Sequence, residues 1–236
     1  MGKPVSRFTK LLGRFVKGLV GVLLIPPVVG VILGLSGELK SVSANGQPYA
    51  DWFAWGCLSY AGVHLFFYKP ITLFRISHAV LARITLWLFG GQVTTVGGTS
   101  AKGKTKGKAD RTEQGSTLVV LSPYLVPVYV VLVSLSAWAL AHWLPVELIN
   151  RLAVFLVGGG LVMHLAMTAD DLQQHREQFP IELYLVAIAL SGLVSLLVVA
   201  WSLSIVLPAF EMAGVFAEAT ASVKAIYQTV INTLFF

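Results

Sequence analysis

Apolar residues along this chain come in long unbroken runs instead of the every-third-or-fourth pattern of a soluble helix. The runs fall at 18–36, 51–68, 71–90, 117–142, 150–169 and 181–207, with mostly short polar connectors between them. About 20 apolar residues suffice for a helix to cross a bilayer. The pattern therefore predicts an all-α integral membrane protein, a bundle of about five to six transmembrane helices. One connector is different: residues 91–116, GQVTTVGGTSAKGKTKGKADRTEQGS, carry Gly, Lys and Thr without apolar periodicity. That composition predicts a solvated cytoplasmic loop, with a short strand at Val93–Val96. The chain divides into a basic segment 1–17, a bundle 18–207 and a C-terminal amphipathic helix 208–236.

Composition agrees. The 236 residues are 56% hydrophobic and only 12% charged, with a mean hydropathy of +0.78, whereas soluble domains average about 25% charged. A net charge of +6 would suggest nucleic acid in a soluble chain, but here the bases form two blocks flanking apolar runs. Lys3, Arg7, Lys10, Arg14 and Lys17 make the first, and Lys102, Lys104, Lys106, Lys108 and Arg111 the second. This is the positive-inside pattern, and each block also suits anionic membrane lipid. No nucleic-acid partner is expected. The single cysteine, Cys57, rules out an intrachain disulfide. The string SVSA ending at Ala44 has the small residues of a signal cleavage site, but its leader is too long for one, so the segment is expected to be retained.

If both basic blocks face the cytoplasm, the chain between them crosses the membrane an even number of times, yet three apolar runs lie there. Run 18–36 contains Pro26–Pro27, which removes backbone donors and favours a kink or re-entrant turn. Run 71–90 contains two arginines and is the alternative, lying in the interface. The expectation is that 71–90 spans and the Pro26–Pro27 run does not. The N-terminus and loop 91–116 are then cytoplasmic, with the C-terminus opposite.

The run ITLFRISHAVLARITLWLFGG carries Arg75, His78 and Arg83. On a helical wheel Arg75, His78, Ala79, Ala82 and Leu86 share a face, with Arg83 at its edge. A charge at mid-bilayer costs about 2.5–3.5 kcal/mol on insertion scales, so this face is expected to turn toward other helices. The longer string FYKPITLFRISHAVLARITLWLFGGQV, followed by a Gly-rich segment and LVVLSPYLVPVYVVLV, resembles the core of the site-2-protease-like membrane metallopeptidases. In that family a His-Glu-x-x-His helix leads through GG into a re-entrant hairpin, a Pro-containing span follows, and a later span supplies an aspartate to zinc. The resemblance covers about residues 65–200. It matches His78 to the first histidine and Asp170, in MHLAMTADDL, to the aspartate. The glutamate and second histidine positions hold Ala79 and Ala82, so the general base and one ligand are missing. The resemblance thus implies a degenerate, non-catalytic relative, with His78 and Asp170 as remnants.

Other candidates are weaker. His164, Asp171 and His175 share helix faces in pairs, but DDLQQHREQ reads as an ordinary solvated connector. Residues 98–105, GTSAKGKT, satisfy the P-loop pattern without its strand and helix, so no nucleotide is expected. Pro123 and Pro127 in SPYLVPVY free backbone carbonyls and kink a helix, more often for packing than for a transport site. The six tryptophans fit interfacial belts. Taken as a helix, the tail gathers Val215, Phe216, Val223, Ile226, Tyr227 and Val230 in a stripe about 120° wide. The opposite side is nearly uncharged, unlike a lipid-surface helix. The stripe is expected to bind a partner subunit or second copy, or else to fold back on its own bundle.

The functional expectation is a non-catalytic scaffold or accessory subunit of a larger membrane complex, without metal or other cofactor, in a bacterial inner membrane. A small transporter or channel using the kinked spans with Arg75 and Arg83 is the alternative, and a metalloprotease with relocated ligands a third. Arg75, Arg83, His164 and Asp171 are the candidates for a structural polar network.

Overall fold

The computed structural model describes residues 5–44, 46–66, 70–89, 124–174 and 181–235. The expected strand at Val93–Val96, the P-loop-like string and His175 lie outside them. The described chain is almost wholly helical: α1 (Val5–Leu23), α2 (Ile25–Ser41), α3 (Tyr49–Phe66), α4 (Ile71–Phe89), α5 (Val128–Leu140), α6 (Val146–Gln174), α7 (Ile181–Val206) and α8 (Met212–Phe235). A two-residue antiparallel hairpin, β1 (Ser43–Ala44) and β2 (Gln47–Pro48), turns at Gly46 between α2 and α3. By length and composition three described helices can cross a membrane: Leu11–Ser41, Val146–Gln174 and Tyr184–Val206. The apolar α5 is shorter. The chain is an all-α membrane protein.

The expected turn at Pro26–Pro27 does not form. The two prolines occupy the first turn of α2; the i−4 carbonyls they leave without an N–H are those of Val22 and Leu23, and Leu23 O takes the Tyr227 hydroxyl instead. Leu24 keeps right-handed helical angles, and bonds from Leu24 N to Val20 O and from Val28 N to Leu24 O carry the helix through. Helix α1 begins at Val5 and runs to Leu23, so the expected boundary between 17 and 18 falls inside a helix. At about 1.5 Å per residue the Leu11–Ser41 stretch is about 45 Å long, enough to cross.

Glycines set the closest helix pairs. Helix α3 runs alongside α6, where a Cβ on Gly56 would collide with the Phe155 carbonyl and one on Gly158 with the Phe53 carbonyl. Between spans there is no hydrophobic drive toward association, so small residues that admit close backbone contact decide which helices pair. At one end of this pair Arg151 lies over the Trp52 ring, 5.7 Å from its centroid. Helix α2 meets the tail in the same way. A Cβ on Gly30 would come within 2.8 Å of Ala219 O, and one on Gly34 would strike Val215 O.

The tail α8 therefore folds back on its own chain, the second of the two expectations. Glu211 N–H donates to Glu38 Oε1 at 2.9 Å, so a carboxylate from α2 sits at the α8 N-terminus, where the helix dipole favours it. From there α8 descends antiparallel to α2, through Val215 at Gly34 and Ala219 at Gly30. It reaches Tyr227, whose hydroxyl donates to Leu23 O at 2.7 Å. The C-terminus thus returns toward the Leu23 level and does not stay at the far end of α2. Val215 is fully buried, Val223, Ile226 and Tyr227 are half-buried, and Phe216 and Val230 remain exposed. The central core, Val154, Val157, Val199, Leu203 and Leu207, lies between α6 and α7.

These contacts predict that Gly34→Leu destabilises the protein by about 1–3 kcal/mol through overpacking and frees the tail to protease. Gly62→Leu, at a position where an added Cβ meets nothing within 4 Å, should stay within about 0.5 kcal/mol of wild type. Thermal unfolding in mild detergent with limited proteolysis measures both.

Candidate functional site

Pro127 caps the N-terminus of α5 with a ψ of 82°, so the Tyr124–Pro127 backbone leaves the helical path. Irregular backbone among membrane spans is tolerated only where its polar groups find partners in protein. Here they do. His164 Nε2 donates to Tyr124 O at 3.0 Å, Ser191 Oγ donates to the same oxygen, and Ser195 Oγ donates to Leu125 O at 3.3 Å. A carbonyl has two lone pairs, and Tyr124 O uses both. Because a carbonyl only accepts, its bond fixes the Nε2–H tautomer of His164. His164, Ser191 and Ser195 are all nearly inaccessible.

The Tyr124 side chain extends the network: its hydroxyl donates to Asp171 Oδ2 at 2.6 Å. The His78 ring packs edge-on to Tyr124, 4.6 Å between centroids, and lies 4.2 Å from the ring of Phe74. His78 is within electrostatic reach of Asp171 and of His164. A neighbouring pair joins His64 of α3 to α6, with His64 Nε2 at 3.7 Å from Asp170 Oδ2 and Tyr60 OH at 3.4 Å from His64 Nδ1. Two buried polar atoms beside the network, His78 Nε2 and Thr168 Oγ1, have no hydrogen-bond partner among the described residues.

The sequence-predicted residues thus divide. His164 and Asp171 do belong to a polar network, through Tyr124. The remnant pair does not pair in this way: Asp170 faces His64, while the aspartate next along the helix is the one tied to Tyr124 and close to His78. Among the described residues no three His, Cys, Asp or Glu side chains are placed to share an ion.

Helix α4 is rotated relative to expectation. Its covered face is Phe74, Ser77, His78, Leu81 and Thr85, whereas Arg75, Ala79 and Arg83 are exposed. Hydroxyls that bond within their own helix are cheap to cover, and both do so, Ser77 to Phe74 O at 2.7 Å and Thr85 to Leu81 O at 2.8 Å. A guanidinium has five donors and no such local solution. Tyr129 OH fixes the start of α4 by donating to Leu73 O at 2.6 Å.

Compared with known proteins, the chain matches no family model, no curated protein and no solved structure. Likeness to the site-2-protease-like enzymes stands on the residues quoted above alone. Tyr124, Ser191 and Ser195 were not singled out from the sequence as site residues. The available signal was the pair of serines one turn apart in an apolar span, positioned to serve carbonyls freed by Pro127.

Because two donors share Tyr124 O, losing either leaves it paired. Ser191→Ala and His164→Leu should each cost about 0.5–1.5 kcal/mol. The double variant should exceed their sum by about 1 kcal/mol or more, since only then is a buried carbonyl unpaired. A double-mutant cycle on detergent unfolding measures this coupling.

Proposed function

We propose that this chain is a non-catalytic subunit of a larger membrane complex, built on a degenerate protease-like bundle, and that α4 presents the face by which it docks. One observation carries the reading: Arg75 and Arg83 lie two turns apart on a face that the other described residues leave uncovered. In lipid such a face costs about 2.5–3.5 kcal/mol per charge. Acceptors from another subunit offset that cost, which makes the exposed arginines a reason for association and a source of specificity.

The chemistry of the polar network supports the same reading. A catalytic constellation leaves its groups available to substrate or to a metal-bound water. Here His164 is committed to the Tyr124 carbonyl, and Asp171 receives the Tyr124 hydroxyl. These groups hold the backbone in place. The transport alternative draws on the kinked spans and on intramembrane Arg75 and Arg83, and the other described residues leave both arginines exposed.

The test is purification of the full chain from its native membrane in mild detergent, followed by sizing and identification of what accompanies it. A second polypeptide at fixed stoichiometry is the expected result, and Arg75→Leu with Arg83→Leu should release it while the thermal unfolding of the bundle is unchanged. A chain that runs alone overturns the reading. Stoichiometric zinc that is lost with His78→Ala would overturn its non-catalytic part.

A further inference from the structure

Helices α1 and α7 run side by side and in parallel. Arg14 pairs with Glu182 near the start of α7, and farther along Gly21 meets α7, where an added Cβ would lie 3.2 Å from Val186 N. Between these two contacts lies an open, shallow groove of about 450 Å³, lined by Phe15, Gly18, Leu19 and Val22 of α1 and by Ile181 and Leu185 of α7. The α1 residues follow the i, i+3, i+4, i+7 spacing of one helix face, and along it the groove is about 10 Å long. Its floor opens at Gly18, where an added Cβ meets nothing within 4 Å.

The mouth of this apolar groove is charged. Glu182 also lines it and is only 7% exposed, whereas Arg14 is 68% exposed. Arg14 spends Nε on Glu182 Oε1, which leaves the rest of its guanidinium fork for another acceptor. Lys17 is close enough for its charge to act on Glu182, so among the described residues two cations and one carboxylate meet there, a net of one positive charge. Glu182 Oε2 is buried without a hydrogen-bond partner among the described residues. A buried, unpaired acceptor is a standing cost that a ligand donor removes.

We propose that the groove between α1 and α7 is a binding site for one anionic phospholipid with a hydroxyl-bearing headgroup, of the phosphatidylglycerol type. The acyl chain fills the groove over Gly18. The phosphodiester takes the free guanidinium donors of Arg14 and the ammonium of Lys17, and a headgroup hydroxyl donates to Glu182. Charge selects this occupant over a zwitterionic lipid, because the mouth keeps a net positive charge with Glu182 ionised. Depth selects a lipid over a protein helix, because the charged mouth lies at the start of the membrane-crossing stretch that begins at Leu11. This inference does not depend on the docking role of α4.

The test is native mass spectrometry of the full chain, released from mixed micelles holding equal phosphatidylglycerol, phosphatidylethanolamine and phosphatidylcholine. Wild type should retain one phosphatidylglycerol in preference to the others. Arg14→Gln should weaken retention about fivefold, the effect of one base near the surface. Gly18→Trp, at a position where an added Cβ meets nothing within 4 Å, puts an indole in the groove and should abolish retention. Gly13→Trp, at an equally open position outside the groove, should not. Equal retention of phosphatidylcholine, a preference for phosphatidylethanolamine, or undiminished binding in Gly18→Trp would each overturn the proposal.

Discussion

An unwound backbone among membrane helices has no water to satisfy it, and the Tyr124–Pro127 segment imposes that constraint here. Proline at 127 has no N–H to give, and the turn that follows strands the carbonyls of Tyr124 and Leu125. Three donors from two helices close the gap: His164 of α6, and Ser191 and Ser195 of α7. The bonds tie the entrance of α5 to α6 and α7 and set their relative depth. They also place the Tyr124 side chain, which reaches Asp171 from one edge and supports the ring of His78 from another. His78, which looks like a remnant of metal chemistry, thus packs on a side chain with a structural task.

A second constraint acts on the helix pairs. Hydrocarbon chains solvate leucine as well as another helix does, so backbone proximity is what distinguishes one neighbour from another. Gly56 and Gly158 bring α3 onto α6, and Gly30 and Gly34 bring α2 onto α8. The glycines at these contacts are therefore specificity residues, not flexible points. The Glu38 carboxylate adds direction, because it caps α8 from the C-terminal turns of α2. A helix seated at its N-terminus and in contact with glycine below has one orientation available.

Much of this was legible in the sequence, and the failures have physical causes. Length and hydropathy were enough for membrane class, since nothing else accounts for such apolar runs. No re-entrant turn forms at Pro26–Pro27 because prolines in the first turn of a helix do not stop it, and the sequence does not say where that boundary falls. The rotation of α4 was misread for a related reason. Periodicity located a polar face, but polarity alone does not distinguish hydroxyls that bond within their own helix from guanidiniums that cannot. The tail stripe is covered in part, at Val215, Val223, Ile226 and Tyr227. What covers it depends on Gly30 and Gly34, which carry no visible link to residue 215 or 219 until the helices are side by side.

Elements of this bundle are not held equally. Helices α2, α3, α6, α7 and α8 interlock through glycine contacts, a buried carbonyl network and a shared core. Among the described residues, helix α4 is held by the ring packing of His78, by one bond from Tyr129 to its first turn and by a short stretch of α6. Its exposed face carries the two arginines. A charged helix face in a membrane gains more from a partner than an apolar one, since association relieves desolvated charge. The asymmetry of charge falls on α4, whereas the apolar stripe of the tail is largely spent on α2.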